Sequence, residues 1–385
     1  MKIGMDTFAC DGGKSGVGMY LTQFLKRIPP SEALFELFGW EYDRYIYSDV
    51  APNFEFIPQC SIHGKSANAF WHLYKYPKFA SVRQYEACFF PAAHRCLPSK
   101  SPCPTIGVVH DMAAYWENRI LHQSSLRKKG SQLDTLLRFI TPNSLKRLDI
   151  LIAVSDFVKH QLIERAHVKE NRIEVVHNGI DTTAFYPRQR NEESVLLIQP
   201  FSFRRPYVLC VSRIDHPLKN HVRLIEAFGI FKERTKYPHR LVLAGVDSNN
   251  ANMVKDAAAA SSWKNDIFFT GHFPFKSLPE LYAGSDFVVC PSICEGFSMG
   301  VLEAMACGVP AICARSSSHP EVADYAALYF DPYNAEDMAD RMVTVSTDRD
   351  IYNECRRLGL ERSKAFSWDR CVERTLQIIY ETAGK

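Results

Sequence analysis

Residues 290–310 read CPSICEGFSMGVLEAMACGVP. The apolar run 287–290 (FVVC) has the length and character of a buried strand that ends at Cys290. A short loop carries Glu295, Gly296 and Phe297, and a helical pattern starts near Ser298 and carries Glu303. Gly308 and Pro310 stop that helix, and a second apolar run, AICA, follows at 311–314. Strand, helix and strand at this spacing form a βαβ unit, which requires a parallel sheet covered on both faces.

The same grammar extends outward in both directions. Strands are expected at 207–211, 240–244 and 267–270, and helices at 220–234, 251–261, 277–283 and 335–346. In the first half, 2–5, 105–109, 150–154 and 173–176 read as strands. Helical spacing appears at 16–28, and Ser155 is placed to cap a helix over 156–165. Two such halves imply two Rossmann-like, doubly wound α/β domains. Residues 181–206 hold three prolines and mixed charge without periodicity, so they read as a linker. The division falls near 198: residues 1–197 form one domain and 198–365 the other, with a last amphipathic helix within 366–385.

In doubly wound sheets ligands bind beyond the carboxyl ends of strands. The backbone amides at the start of the 298–306 helix, with the helix dipole, favour an anion such as a phosphate. Arg213 and Lys219 follow the strand 207–211, and a cation at that end suits a diphosphate, although either could be an ordinary solvated charge. Glu295 and Glu303 are eight residues apart, which sets their backbones up to ~12 Å apart along a helix. Retaining glycosidases need carboxyl groups ~5 Å apart, so a hydrolytic pair does not follow. The spacing suits an elongated ligand gripped at two points, or simply a helix with one acid at its start and one exposed. The loop 12–18, GGKSGVG, follows the first strand but matches neither the dinucleotide nor the P-loop fingerprint. His110 and Asp111 follow the strand 105–109, where both a structural and a functional reading stand.

Composition narrows the classes. The chain has 385 residues, 46% hydrophobic and 23% charged, with a net charge of +3, so a disordered chain and a generalised nucleic-acid binder are both excluded. Twelve cysteines form no C-x-x-C pair, which argues for reduced, buried thiols rather than a zinc ribbon. No apolar stretch of about 18 residues and no secretory leader pattern is present, so residence in the cytoplasm is expected.

These residues resemble a known family. EGFSMGVLEAMACGVPAI is similar to the E-x7-E segment of the retaining glycosyltransferases of family 4, which have the GT-B fold. SGVGMY, VVHDM, AVSDF, VVHNGID, VSRIDHPLKN, the segment from FFTGHF to CPS and the FSW before the last helix extend the resemblance over nearly the whole chain. GVGMY with HDM looks closest to bacterial O-antigen mannosyltransferases that use GDP-mannose. The resemblance implies a C-terminal helix that crosses back to the first domain. It also implies that Glu295 faces donor-sugar hydroxyls and that the backbone of Gly296, Phe297 and Ser298 meets the sugar and distal phosphate. Glu303 would hold the ribose, Arg213 and Lys219 the diphosphate, and Gly271 and Phe273 the edge of the base pocket. Gly16 and Gly18 would approach the phosphates, and His110 the donor sugar near its reacting carbon. The segment 316–326, SSSHPEVADYA, departs from the Gly-Gly-x-x-E stretch frequent in the family, though Glu321 remains.

The expected reaction is sugar transfer with retention, from a nucleoside-diphosphate sugar to a glycan or lipid-linked acceptor. No D-x-D motif is present and cationic side chains can do a metal's work, so no metal or other cofactor is expected. Residues 119–147 hold seven basic side chains against Asp134 alone, and 70–85 are aromatic and basic. Both stretches fit peripheral contact with an anionic membrane as well as they fit ordinary surface and core. A UDP-sugar donor and a non-catalytic nucleotide-sugar-binding subunit are the alternatives. A nucleotide-dependent oxidoreductase would need the missing G-x-G-x-x-G.

Overall fold

The computed structural model describes residues 1–11, 15–29, 33–50, 54–60, 64–96, 98, 100–112, 143–189, 195–198 and 201–384. The chain forms two compact units, Met1–Gly179 with Trp368–Lys385, and Ile180–Ser367.

Among the described residues the first unit is built on seven strands: β1 (Lys2–Asp6), β2 (Leu34–Trp40), β3 (Glu55–Cys60), β4 (Ala87–Phe90), β5 (Thr105–Val109), β6 (Ile150–Ala153) and β7 (Ile173–Val175). Their order is β3-β2-β1-β4-β5-β6-β7, and every pairing is parallel. Its described helices are α1 (Gly16–Leu25), α2 (Asp43–Val50), α3 (Lys65–Phe70), α4 (Tyr76–Arg83) and α5 (Asp156–Glu164), with a π-helical turn at Trp71–Lys75 between α3 and α4. Ser155 caps α5 as expected, accepting from the Val158 amide at 3.1 Å. The C-terminal helix Trp368–Ala383 belongs to this unit. Trp368 packs edge-on against Tyr20 of α1, the Tyr20 hydroxyl meets Thr375 at 3.3 Å, and Arg27 binds Asp369 at 2.9 Å.

The second unit has six parallel strands, β10 (Tyr207–Val211), β11 (Arg240–Ala244), β12 (Ile267–Gly271), β13 (Phe287–Cys290), β14 (Ala311–Ala314) and β15 (Leu328–Phe330). They run in the order β12-β11-β10-β13-β14-β15. Helices α6 (His221–Thr235), α7 (Ala251–Ala260), α8 (Leu278–Gly284), α9 (Met299–Ala306), α10 (His319–Ala323), α11 (Ala335–Thr347) and α12 (Arg349–Ser363) flank them. The core joins Val208 and Leu241 of the sheet to Phe228 and Phe231 of α6 and Met338 of α11. Gly308 ends α9 in the left-handed region, at φ 66°, where a side chain would be strained.

The stretch read as a linker is not structureless. It contains an antiparallel hairpin, β8 (Val195–Ile198) and β9 (Phe201–Arg204). Its aromatic residues find partners in the second unit: Phe201 stacks on Phe273, and Phe185 packs against Phe275 and Tyr282. The compact units therefore meet at Gly179 and Ile180, ahead of the division near 198. Of the two stretches offered for membrane contact, 119–142 lie outside the described residues. Within 70–85, Phe70 and Tyr74 are exposed, whereas Trp71 and Tyr76 are buried against Phe38. Among the described residues no helix is long and apolar enough to cross a membrane.

Candidate active site

In the second unit the strand order reverses between β10 and β13. The chain leaves these two strands in opposite directions, which opens a crevice at their carboxyl ends. The loop after β10 carries Arg213 and Lys219, and the loop after β13 carries Glu295. Backbone bonds hold the first loop in place: Ser212 to Ala244 at 3.1 Å, Ile214 to Val246 at 2.9 Å and His216 to Asn249 at 3.0 Å. A Cβ on Gly245 would lie 1.9 Å from the Ser212 carbonyl oxygen, so only glycine permits this approach. Asn220 joins the two loops from below. Its side-chain amide donates to the Pro291 and Pro332 carbonyls at 3.1 and 2.7 Å, and the Ile293 amide donates to Leu218 at 2.8 Å.

This stitching brings Lys219 onto Glu295 as a direct ion pair, with side chains 15% and 24% exposed. Burial alone would raise the Glu295 carboxyl, but the Lys219 charge and hydrogen bond, with a hydrogen bond from Ser292, hold it below the ordinary carboxylate value. Glu295 is therefore ionised at neutral pH. Arg213 is exposed on the same loop and forms no ion pair with another described residue.

The serine-rich segment that departs from the family pattern braces the other side. The Glu295 amide donates to Ser317 Oγ at 3.1 Å, and the Ser318 hydroxyl donates to the Glu295 carbonyl at 2.9 Å. Ser317 sits at φ 51°, a left-handed conformation that glycine would adopt without strain. His319 Nε2 faces the Ser292 carbonyl at 3.3 Å, which can only accept, so Nδ1 is left to accept from Ser298 Oγ at 2.6 Å. Burial holds His319 down at about 4, so the ring is neutral. Gly296, Phe297 and Ser298 are buried in this turn, and Phe297 meets Phe366 edge-on.

Glu303 lies on α9 and is 7% exposed, which overturns the exposed alternative for this acid. Burial pushes its carboxyl up to about 7, with the Tyr282 hydroxyl opposing the shift. Gly271 ends β12 at φ 64° with open space where a Cβ would stand, and it bridges to Gly245. Phe273, in contrast, is 7% exposed, stacked on Phe201 and tilted against Phe203 of the hairpin.

Gly16, Gly18 and His110 belong to the first unit. Gly16 opens α1 with no described atom within 4 Å of where a Cβ would stand, whereas the Gly18 amide is taken by the Ser15 cap at 3.3 Å. Residues 12–14 of the glycine loop lie outside the described residues. His110 Nε2 meets the Pro91 carbonyl at 2.8 Å, and its ring packs on Tyr20 of α1. Burial, then His94, lowers its pKa to about 3, so it is a neutral donor or acceptor rather than a cation. Asn220, Tyr282, Ser317 and His319 were not singled out from sequence. The signals were faint: an asparagine before a helix, and a serine run where glycines are usual.

Residues 198–362 match the family described as glycosyl transferases group 1, and residues 29–184 match glycosyltransferase family 4. O-antigen chain mannosyltransferase B of Escherichia coli is 29% identical over 60% of this chain and 61% of its own length. Serotype-specific mannosyltransferase WbdA of Escherichia coli is 25% identical over 69% of this chain and 32% of its own length. The alignments thus span between one third and three fifths of these relatives. Anabaena HepE, solved in complex with UDP and glucose, superposes with a TM-score of 0.73 at 18% identity, covering 99% of each chain. At that identity the likeness is one of fold, the GT-B arrangement of two Rossmann-like domains.

Proposed function

The chain belongs to the glycosyl transferases of group 1 and family 4, and from that premise we propose that it is a retaining mannosyltransferase acting on GDP-mannose. The acceptor is a growing, lipid-linked glycan. The observation that carries this reading is the Lys219–Glu295 pair at the crevice between β10 and β13, beside the start of α9. An ammonium and a carboxylate held together there are a preformed answer to a ligand with phosphates at one end and hydroxyls at the other. When the donor enters, Lys219 exchanges Glu295 for a diphosphate oxygen. Glu295 is then released to accept from the sugar hydroxyls.

Arg213, exposed on the same loop, adds a second cation for the departing diphosphate, and the start of α9 supplies backbone dipoles. Glu303, buried deeper, accepts from the ribose hydroxyls in its ionised form. Glu295 and Glu303 are not spaced as a double-displacement pair, so the leaving phosphate takes the acceptor's proton and attack occurs on the face it vacates. The mannosyltransferase relatives support the sugar, and the two basic side chains support transfer without a catalytic metal. The UDP and glucose held by HepE keep a UDP-sugar as the second reading of the donor.

The test is turnover of GDP-mannose and UDP-glucose against mannosylated lipid-linked acceptors, with the anomeric configuration of the product read by NMR. GDP-mannose consumption with an α-linked product, not accelerated by added Mg²⁺ or Mn²⁺, is expected. Consumption of UDP-glucose alone replaces the donor and keeps the site. Binding of a nucleotide sugar with no turnover on any acceptor would leave a non-catalytic binding subunit.

A further inference from the structure

The first unit has its own reversal of strand order, between β1 and β4. Three side chains that the transfer reaction does not use converge there. Asp6 ends β1, Cys96 follows the short 3-10 turn Ala93–Arg95 beyond β4, and His72 lies in the π-helical turn. They are 1%, 1% and 0% exposed. Asp6 Oδ2 is 3.1 Å from His72 Nε2 and 2.8 Å from Cys96 Sγ, and all three donor atoms lie within 4.8 Å of one another. We propose that Asp6, His72 and Cys96 form a structural site for a thiophilic divalent cation of the zinc class.

The hydrogen-bond inventory carries the argument. His72 Nδ1 is 2.9 Å from the Asn68 carbonyl, which can only accept, so in the neutral ring Nδ1 holds the proton. Nε2 then presents a lone pair to the Asp6 carboxylate, which also presents one. Two acceptors at that distance in a dry enclosure need a cation between them, either a second proton or a metal. A histidine that donates one nitrogen to a backbone carbonyl and turns the other to a carboxylate and a thiol has the arrangement of a metal ligand with its outer partner. Asp6 is oriented in the same way: the Phe8 amide occupies Oδ1 at 2.8 Å and leaves Oδ2 for the cluster.

The framework is built to hold these groups. The Asn68 amide donates to the Arg95 carbonyl at 3.2 Å, which ties α3 to the turn before Cys96. Phe8, Trp71, Tyr76 and Phe90 wall in the His72 ring. π-helical turns are rare and concentrate at functional sites, and this one aims His72 at Asp6. The Cys10 thiol, fully buried, lies nearby, 4.0 Å from the Asp6 backbone carbonyl oxygen. Donor atoms around zinc stand roughly 3.3–3.7 Å apart, so the Cys96 sulfur moves outward by under about 1 Å on binding. Nitrogen, oxygen and sulfur together select zinc over magnesium or calcium.

The readouts are independent of glycosyl transfer. Elemental analysis of the full chain purified without chelator is expected to give zinc in step with protein, falling to background in Cys96→Ser and His72→Gln. Reloading the wild type with cobalt(II) is expected to produce a thiolate-to-cobalt charge-transfer band that Cys96→Ser lacks. The wild-type spectrum needs no variant to fold. Zinc-free protein that gains no cobalt–thiolate band, and whose melting temperature is the same with and without added ZnCl₂, overturns the proposal. It would assign the cation between His72 and Asp6 to a second proton.

Discussion

The two units place charged side chains at the same topological position and treat them in opposite ways. Where strand order reverses in the second unit, Lys219 and Glu295 meet in a partly open crevice. Where it reverses in the first, Asp6 and His72 meet in a closed aromatic box. A parallel sheet offers the same opening at both places. What differs is the filling: small and polar residues around Glu295, and Phe8, Trp71 and Phe90 around His72. An open pair can exchange its partner for a ligand. A closed pair can only hold the fold.

The largest expected effect tests the closed side. Asp6→Asn leaves its buried partner uncompensated, and chemical denaturation is expected to show a loss of about 3–5 kcal/mol. A change below 1 kcal/mol, on the same order as a surface pair, would erase the contrast. Next comes the open side. Lys219→Ala and Glu295→Gln should each lower turnover by roughly 10²–10³-fold, with a much smaller shift in melting temperature than Asp6→Asn. Near-normal turnover in both would remove the site assignment.

A third prediction separates the two acids of the same segment. Lys219 holds Glu295 ionised, whereas burial raises Glu303 to about 7. A raised carboxyl binds its proton more tightly in the folded chain, so its stabilising share is complete at low pH and is lost as pH rises through about 7. On the proposed role of the Glu303 carboxylate in ribose binding, nucleoside affinity should rise with pH across that value, and Glu303→Gln should flatten the rise while weakening affinity about tenfold, or ~1.4 kcal/mol. A Glu303→Gln profile parallel to wild type would deny the acid its role. The smallest effect is Ser155→Ala, a lost helix cap outside both crevices. It should cost ~1 kcal/mol of stability and leave nucleotide binding untouched.

The second unit was the more legible in sequence because its signals are local. FVVC, then EGF, then a helix ended by Gly308 can be read from one stretch. The first unit hides its strands. In β2 the run LFELFGW is interrupted by Glu36, which survives at 1% exposure because Lys2 and Arg83 reach it at 2.9 and 2.6 Å from distant positions. In β3 Pro58 argues against a strand, and only the edge position permits it. The crevice residues were legible where their chemistry was conventional, as with Glu295 and Lys219. Asn220 and His319 were not, because their value lies in which carbonyls they reach. Phe273 shows the converse: the hairpin that packs on it was hidden in a stretch read as a linker.

The C-terminal helix has a consequence for how the protein is made. The first unit's chain stops at Gly179 and resumes at Trp368, so on the ribosome α1 waits for Trp368 and Thr375 until the entire middle unit has emerged. The second unit is, in genetic terms, a cassette spliced into a host that cannot be finished without its last segment. Exchange of residues 180–367 between relatives would replace the whole middle unit and leave the host's closing stitch in place.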